Sequence, residues 1–263
     1  MIDLKLNNNK KLKAYSCIFI IFFIIIVLLQ IFNKHLTIQI NNKDKNKRSN
    51  YIYDLNDIEI VDRKVNEKII KLQQVQKINS DIVALIEING TNINYPVLQT
   101  DNNSYYINHN YKREKDKEGA IFLDKDYNWE LPSSNLLIYG HNNIGSNEMF
   151  SELIKYKKES FYKKHKIINF ITNDEEAKYE IISVFLSKAY YKNETDVFRY
   201  YNFVNAVNKE DFDNYIINCK RASLYKIDIT AEYGDKLMTL STCEYSRLNG
   251  RLAVVAKKIG SIA

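Results

Sequence analysis

Residues 81–98 read DIVALIEINGTNINYPVL, and at this point the hydrophobic period of the chain becomes that of a β-strand. An apolar run from Ile82 to Ile88 meets the pair Asn89-Gly90, after which Ile93, Tyr95 and Val97 alternate with polar residues. Alternation puts one set of side chains on one face, and Asn-Gly supplies the positive φ angles of a tight type I′ turn, so the stretch predicts a β-hairpin. Downstream, short strands are predicted at 120–123, 135–139, 167–171, 179–186, 225–229, 236–242 and 252–257. Short helices are expected at 148–156 and 160–165, and a further helix at 210–219, where Phe212, Tyr215, Ile216 and Cys219 share one face. Upstream, Val65, Ile69, Leu72, Val75 and Ile78 recur at three- and four-residue intervals and mark an amphipathic helix ending near Asn79. Many short strands without regular strand-helix alternation suit a closed barrel or a sandwich better than a parallel α/β sheet.

Further upstream lies an uncharged segment, Ala14 to Phe32, AYSCIFIIFFIIIVLLQIF. As a helix at ~1.5 Å per residue it spans roughly 28 Å, close to the hydrocarbon thickness of a bilayer. Lys5, Lys10, Lys11 and Lys13 precede it against the single acid Asp3. The positive-inside rule therefore makes residues 1–13 a cytoplasmic basic tail, 14–32 a single transmembrane anchor in the cell membrane, and all that follows extracellular. A cleaved signal peptide is the rival reading, but its apolar core is usually shorter and followed by small residues, whereas Phe32, Asn33, Lys34 and His35 follow here. Residues 33–61, with the run Lys43 to Arg48, read as a solvated extracellular linker, attraction to anionic headgroups being secondary. Residues 62–263 form the domain.

Composition narrows the function. The chain has 263 residues, with 45% hydrophobic, 27% charged, 7 Gly and 2 Pro, an ordinary globular balance with room for one domain and an appendage. The net charge of +6 comes with a general richness in Lys, Asn, Ile and Tyr, and no basic stripe interleaves with aromatics, which argues against nucleic acid as a partner. Of the 3 cysteines, Cys17 lies in the apolar span, which leaves a Cys219–Cys243 bridge as the one conceivable disulfide of the domain. A free thiol is the preferred reading, since disulfide-stapled exported domains carry even sets of cysteines. His35, His109 and His165 have no Cys, Asp or Glu at metal-ligand spacing, so neither metal nor cofactor is expected.

Two predicted strands end abruptly in reactive residues: Leu136-Leu137-Ile138-Tyr139-Gly140 runs into His141, and Leu237 to Thr242 runs into Cys243. Arg251 opens the apolar run Leu252-Ala253-Val254-Val255. A side chain at a strand end projects from a rigid scaffold into a cleft. The logic of such a trio is acyl transfer: a thiolate attacks a peptide carbonyl, an imidazolium protonates the departing amine, and a guanidinium with a backbone N–H stabilises the oxyanion. Taken singly, Cys243 is more often a small buried hydrophobe and His141, next to Gly, more often a turn residue.

The stretch Thr239-Leu240-Ser241-Thr242-Cys243, the element Tyr139-Gly140-His141 and the run Arg251 to Val255 resemble the catalytic signatures of class B sortases, in the same order. Thr91 to Val97, Tyr105-Tyr106, Gly119 to Asp124, and Met149-Phe150 followed by Phe161, Tyr162 and His165 are similar to landmarks of that family, so the resemblance covers roughly residues 62 to 260. It implies a mainly β fold, a closed eight-stranded sortase barrel with an N-terminal helix and a helix inserted before the nucleophile strand, preceded here by the transmembrane helix. It also implies a reaction. The enzyme cuts a C-terminal sorting motif of NPxTx-like or PPxTG-like type after Thr, holds the surface protein as a thioester on Cys243, and passes it to a peptidoglycan amine. By the same resemblance Asn103, Tyr139, Ser241 and Glu244 border the substrate groove, and Val197 and Phe198 form a wall of it. The loop from Cys243 to Arg251 is shorter than the family pattern and contains Arg247, a rival to Arg251. Two other readings stay open, a membrane-anchored cysteine hydrolase that resolves the thioester with water and an inactive extracellular binding module.

Overall fold

The computed structural model describes residues 64–143, 145 and 147–262. The expected basic tail, membrane anchor and linker, residues 1–61, lie outside the described residues. Among the described residues, no helix is long and apolar enough to cross a membrane. Helix α1 is described over 64–76 and buries Val65 and Leu72. It gives way to a turn before Ile78, which is exposed, and Asn79 closes the turn by donating to the Tyr106 hydroxyl and the Tyr111 carbonyl.

Eight strands follow: β1 Ile82–Glu87, β2 Asn94–Leu98, β3 Ile121–Leu123, β4 Asn135–Tyr139, β5 Ile167–Ile171, β6 Glu176–Lys188, β7 Leu237–Cys243 and β8 Gly250–Ile262. Helix α2, Glu159–Lys164, precedes β5, and α3, Lys209–Ala222, is inserted between β6 and β7. The strands close into a barrel in the order β1-β2-β3-β4-β7-β8-β6-β5. Two of its neighbouring pairs are parallel, β2 with β3 and β4 with β7.

Alternate side chains from all eight strands, among them Ile86, Val97, Ile121, Ile138, Phe170, Ile181, Leu240 and Val254, meet in one cluster that fills the barrel. The opposite faces of β4, β6, β7 and β8 are also apolar, and there Leu137, Ile182, Leu237 and Val255 pack against Phe212, Tyr215, Ile216 and Cys219 of α3. Burial on both faces explains why these strands read as continuous hydrophobic runs. Helix α3 starts where the Asn208 side chain accepts the Asp211 N–H at 2.9 Å, satisfying a donor that the first turn leaves free. Near its end the Cys219 carbonyl accepts the Ser183 hydroxyl at 2.6 Å, which ties the helix to β6.

Two expectations need correction. The hairpin between β1 and β2 forms, but not on a type I′ turn: of the Asn89-Gly90 pair, Gly90 alone has positive φ, at 78°. The turn is closed by Thr91 N–H to the Ile88 carbonyl, and the Asn89 carbonyl receives the His165 ring at 2.8 Å, so the loop is held by a side chain remote in sequence. The expected strand at 225–229 is absent. Ile227 is buried as alternation foretold, yet the carbonyls of Ile227 and Ile229 accept the Lys220 ammonium, which occupies acceptors that a neighbouring strand would need.

Candidate active site

The parallel register of β4 and β7 aligns Tyr139 with Ser241, and the antiparallel register of β7 and β8 sets Cys243 opposite Arg251. Two residues beyond the Tyr139–Ser241 pair, each of the parallel strands reaches its reactive residue, His141 on one and Cys243 on the other. Three adjacent strands therefore bring His141, Cys243 and Arg251 to one rim of the barrel, with the thiol in the middle strand. A cavity of about 400 Å³ opens there, lined by all three together with Asn103, Tyr139, Ser241, Thr242 and Tyr200. Ser241 and Cys243 share the face of β7 that carries Leu237 and Thr239, so the cavity lies outside the barrel, beside the layer that α3 covers.

Local bonds carry the register past the last ladder pair. Gly140 N–H donates to the Ser241 carbonyl at 3.2 Å, the Thr242 hydroxyl to the Gly140 carbonyl at 2.7 Å, and Asn142 Nδ2 to the Cys243 carbonyl at 2.8 Å. His141 Nε2 lies 2.7 Å from the Ile107 carbonyl. A carbonyl only accepts, so Nε2 carries the proton and Nδ1 is the nitrogen free to exchange one. Gly119, at φ 61°, makes room for this arrangement: a Cβ there would lie 2.7 Å from the Ile107 carbonyl and 3.0 Å from the His141 ring.

Tyr200 donates or accepts at the Ser241 hydroxyl across 2.7 Å, and burial pushes its phenol up to about 12, against the opposing effects of Ser241 and Arg251. The Arg251 guanidinium bonds the Gly250 carbonyl at 2.9 Å. Arg247 lies in the exposed loop between β7 and β8 and does not line the cavity. Cys219 and Cys243 are both free thiols. Among the described residues no three of His, Cys, Asp and Glu cluster as a metal site.

Of the residues expected to border the groove, Asn103, Tyr139 and Ser241 line the cavity, and Glu244, Val197 and Phe198 do not. Glu244 is 5% exposed and its carboxylate binds Lys157 at 2.7 Å and both the N–H and hydroxyl of Ser246, so it braces the loop after Cys243. Burial opposes its charge, but those three bonds outweigh it and hold the carboxyl below its ordinary value. Phe198 packs against Phe185 and Tyr215. Asn142, Tyr200 and Asp124 were not singled out from the sequence. Asn142 had a signal in its place directly after His141, and Asp124 in closing the run Gly119 to Asp124; Tyr200 had none.

A family model, the sortase domain, matches residues 86–259. Sortase B of Staphylococcus aureus is 36% identical over 239 residues, covering 90% of this chain and 94% of that protein. Sortase B of Listeria monocytogenes is 33% identical, over 72% of this chain and 74% of that protein. A solved Staphylococcus aureus sortase B–substrate complex superposes with a TM-score of 0.65 at 34% identity, covering 82% of this chain and 97% of that one. With the closed eight-stranded barrel, these likenesses establish that the chain belongs to the sortase family of cysteine transpeptidases, in class B.

Proposed function

We propose that Cys243 is the nucleophile of this enzyme, His141 its acid and base, and Arg251 its oxyanion-stabilising cation. The observation that carries the assignment is the row His141, Cys243, Arg251 across β4, β7 and β8 at one cavity. The Cys243 thiolate attacks the carbonyl carbon of the Thr of a sorting motif, and the electron pair of the carbonyl collects on an oxyanion facing Arg251. As the C–N bond breaks, His141 Nδ1 delivers a proton to the departing amine, leaving a thioester. An incoming peptidoglycan amine then attacks the thioester, gives its proton back to Nδ1 and releases the thiolate. Asn103, Tyr139 and Ser241 form the part of the groove that holds the peptide. The uncharged segment 14–32 and the lysines before it make the protein a single-pass membrane protein with its catalytic domain outside, where surface proteins with a C-terminal sorting signal and peptidoglycan meet it.

The test is a mass spectrum of the protein incubated with NPxTx-like and PPxTG-like peptides. The expected product is a thioester on Cys243 bearing the peptide up to Thr, discharged as an amide once an amine is added. No adduct on Cys243 with any peptide would overturn the assignment, and release as free acid under saturating amine would mark a hydrolase.

A further inference from the structure

Behind the groove wall lies a carboxylate that the chemistry above does not use. Asp124 directly follows β3 and is 4% exposed. Its Oδ2 accepts the Tyr139 hydroxyl at 2.8 Å and Asn103 Nδ2 at 2.9 Å, and its Oδ1 accepts the Asp126 N–H at 3.0 Å. The main chain of Asp124 is pinned as well, with its N–H on the Leu137 carbonyl and its carbonyl on the Gln99 side chain. A buried carboxylate this fully engaged is a fixed point, and the two side chains it holds both line the cavity.

The hydrogen bonds also dictate polarity. Asn103 Oδ1 accepts the Lys125 N–H at 2.8 Å, so its amide cannot flip, and Nδ2 has one hydrogen committed to Asp124 and one left. Tyr139 spends its only hydrogen on Asp124, which leaves its oxygen lone pairs as acceptors. Burial first, and then the charge of Asp124, push the Tyr139 phenol far above its ordinary range, so it stays protonated. The groove wall thus holds a donor beside an acceptor, the pattern complementary to an amide group, which offers one C=O and one N–H.

We infer that Asp124 is a positioning residue that fixes Asn103 and Tyr139 as a donor-acceptor pair for one amide of the substrate peptide. The inference rests on the proposed function, in which this groove holds the sorting motif. Every partner of the carboxylate is a donor, so Asp124→Asn sets an NH2 against a donor in either orientation, the pair in one and the Asp126 N–H in the other, and the charge that holds the pair is gone.

The experiment measures kcat and KM for acyl transfer by the full chain in detergent, for the wild type, Asp124→Asn and Tyr139→Phe. A wall that binds substrate and transition state alike predicts that Asp124→Asn raises KM about tenfold while kcat changes less than about threefold. The rate at which iodoacetamide alkylates Cys243 stays at the wild-type value, a readout that general loosening of the site would move. Tyr139→Phe, which keeps the carboxylate, raises KM in the same sense and guards against an Asp124 variant that does not fold. Peptides N-methylated at successive backbone positions, beside peptides whose side-chain carboxamides are replaced by apolar groups, locate the amide. The matched replacement costs the wild type about tenfold and Asp124→Asn little, as coupled partners do. Unchanged KM in both variants, kcat and alkylation falling together, or no replacement that couples to Asp124 would each overturn the inference. A wild type that forms no thioester would instead overturn the proposed function on which it stands.

Discussion

Cys219 sits on the inner face of α3 with none of its surface exposed, whereas Cys243 ends β7, half-buried at the edge of a cavity. Around Cys219 are Tyr215 and the apolar faces of β6 and β7, and burial pushes its thiol up, out of reach of reactive chemistry at neutral pH. At the same cavity as Cys243 lie an imidazole just past the end of one neighbouring strand and a guanidinium on the other. The same side chain is thus packing in one place and a candidate nucleophile in the other. The difference comes from what each backbone segment faces: α3 carries its cysteine in its last turn against the sheet, and β7 carries its own past the last paired residue of β4.

The largest expected effect separates the two thiols directly. Cys243→Ala abolishes thioester formation, a loss of at least about a thousandfold when a nucleophile is removed, with the thermal unfolding midpoint nearly unchanged. Cys219→Ala leaves turnover intact and costs about 1 kcal/mol of stability through the small cavity it creates, measured by denaturant unfolding. A Cys219→Ala variant that lost the thioester while Cys243→Ala kept it would reverse the assignment.

A smaller effect sharpens the comparison at the cation. Arg251 lies opposite Cys243 in register and Arg247 lies in the exposed loop, so rigid placement favours Arg251. Arg251→Lys keeps the charge and loses the planar fork of donors, and turnover of a sorting peptide under saturating amine should fall about a hundredfold to a thousandfold. Arg247→Lys should stay near the wild type; the opposite ranking would show that the loop after Cys243 presents its cation differently.

The smallest effect concerns the brace behind Cys243. The Glu244 carboxyl is held below its ordinary value of 4.5, so its contact with Lys157 and Ser246 stabilises the fold above that pH and is lost as the pH falls through the lowered value. Glu244→Gln should melt a few degrees below the wild type at pH 7, and the gap should close as the pH drops below about 4.5. A gap independent of pH would mean that shape rather than charge secures the loop.

How much of this was legible beforehand differs element by element. Strand positions read well where one or both faces are apolar, as at 135–139 and 167–171, because burial writes a pattern into the sequence. The amphipathic face of α3 was equally plain, with Phe212, Tyr215, Ile216 and Cys219 all buried. The segment 225–229 misled because alternation reports which side chains are buried and says nothing of which group takes the carbonyls, here Lys220. The Asn89-Gly90 pair marked a turn but not its type, since His165, far along the chain, holds the loop.

For the candidate site, local sequence singled out His141, Cys243 and Arg251, because each stands at the boundary of an apolar run and the motifs around them are contiguous. Their meeting depends on the parallel pairing of β4 with β7, strands separated by about a hundred residues, and no local pattern encodes a neighbour so distant. The same holds for Glu244, which the resemblance put at the groove and whose carboxylate binds Lys157, and for Asp124, which gathers Tyr139 and Asn103 from two other parts of the chain. Residue types and periodicity are set by local chemistry and burial, so the sequence determined the strands, the helix face and the reactive groups; which of them touch is set by long-range pairing and packing, and that was decided only when the barrel closed.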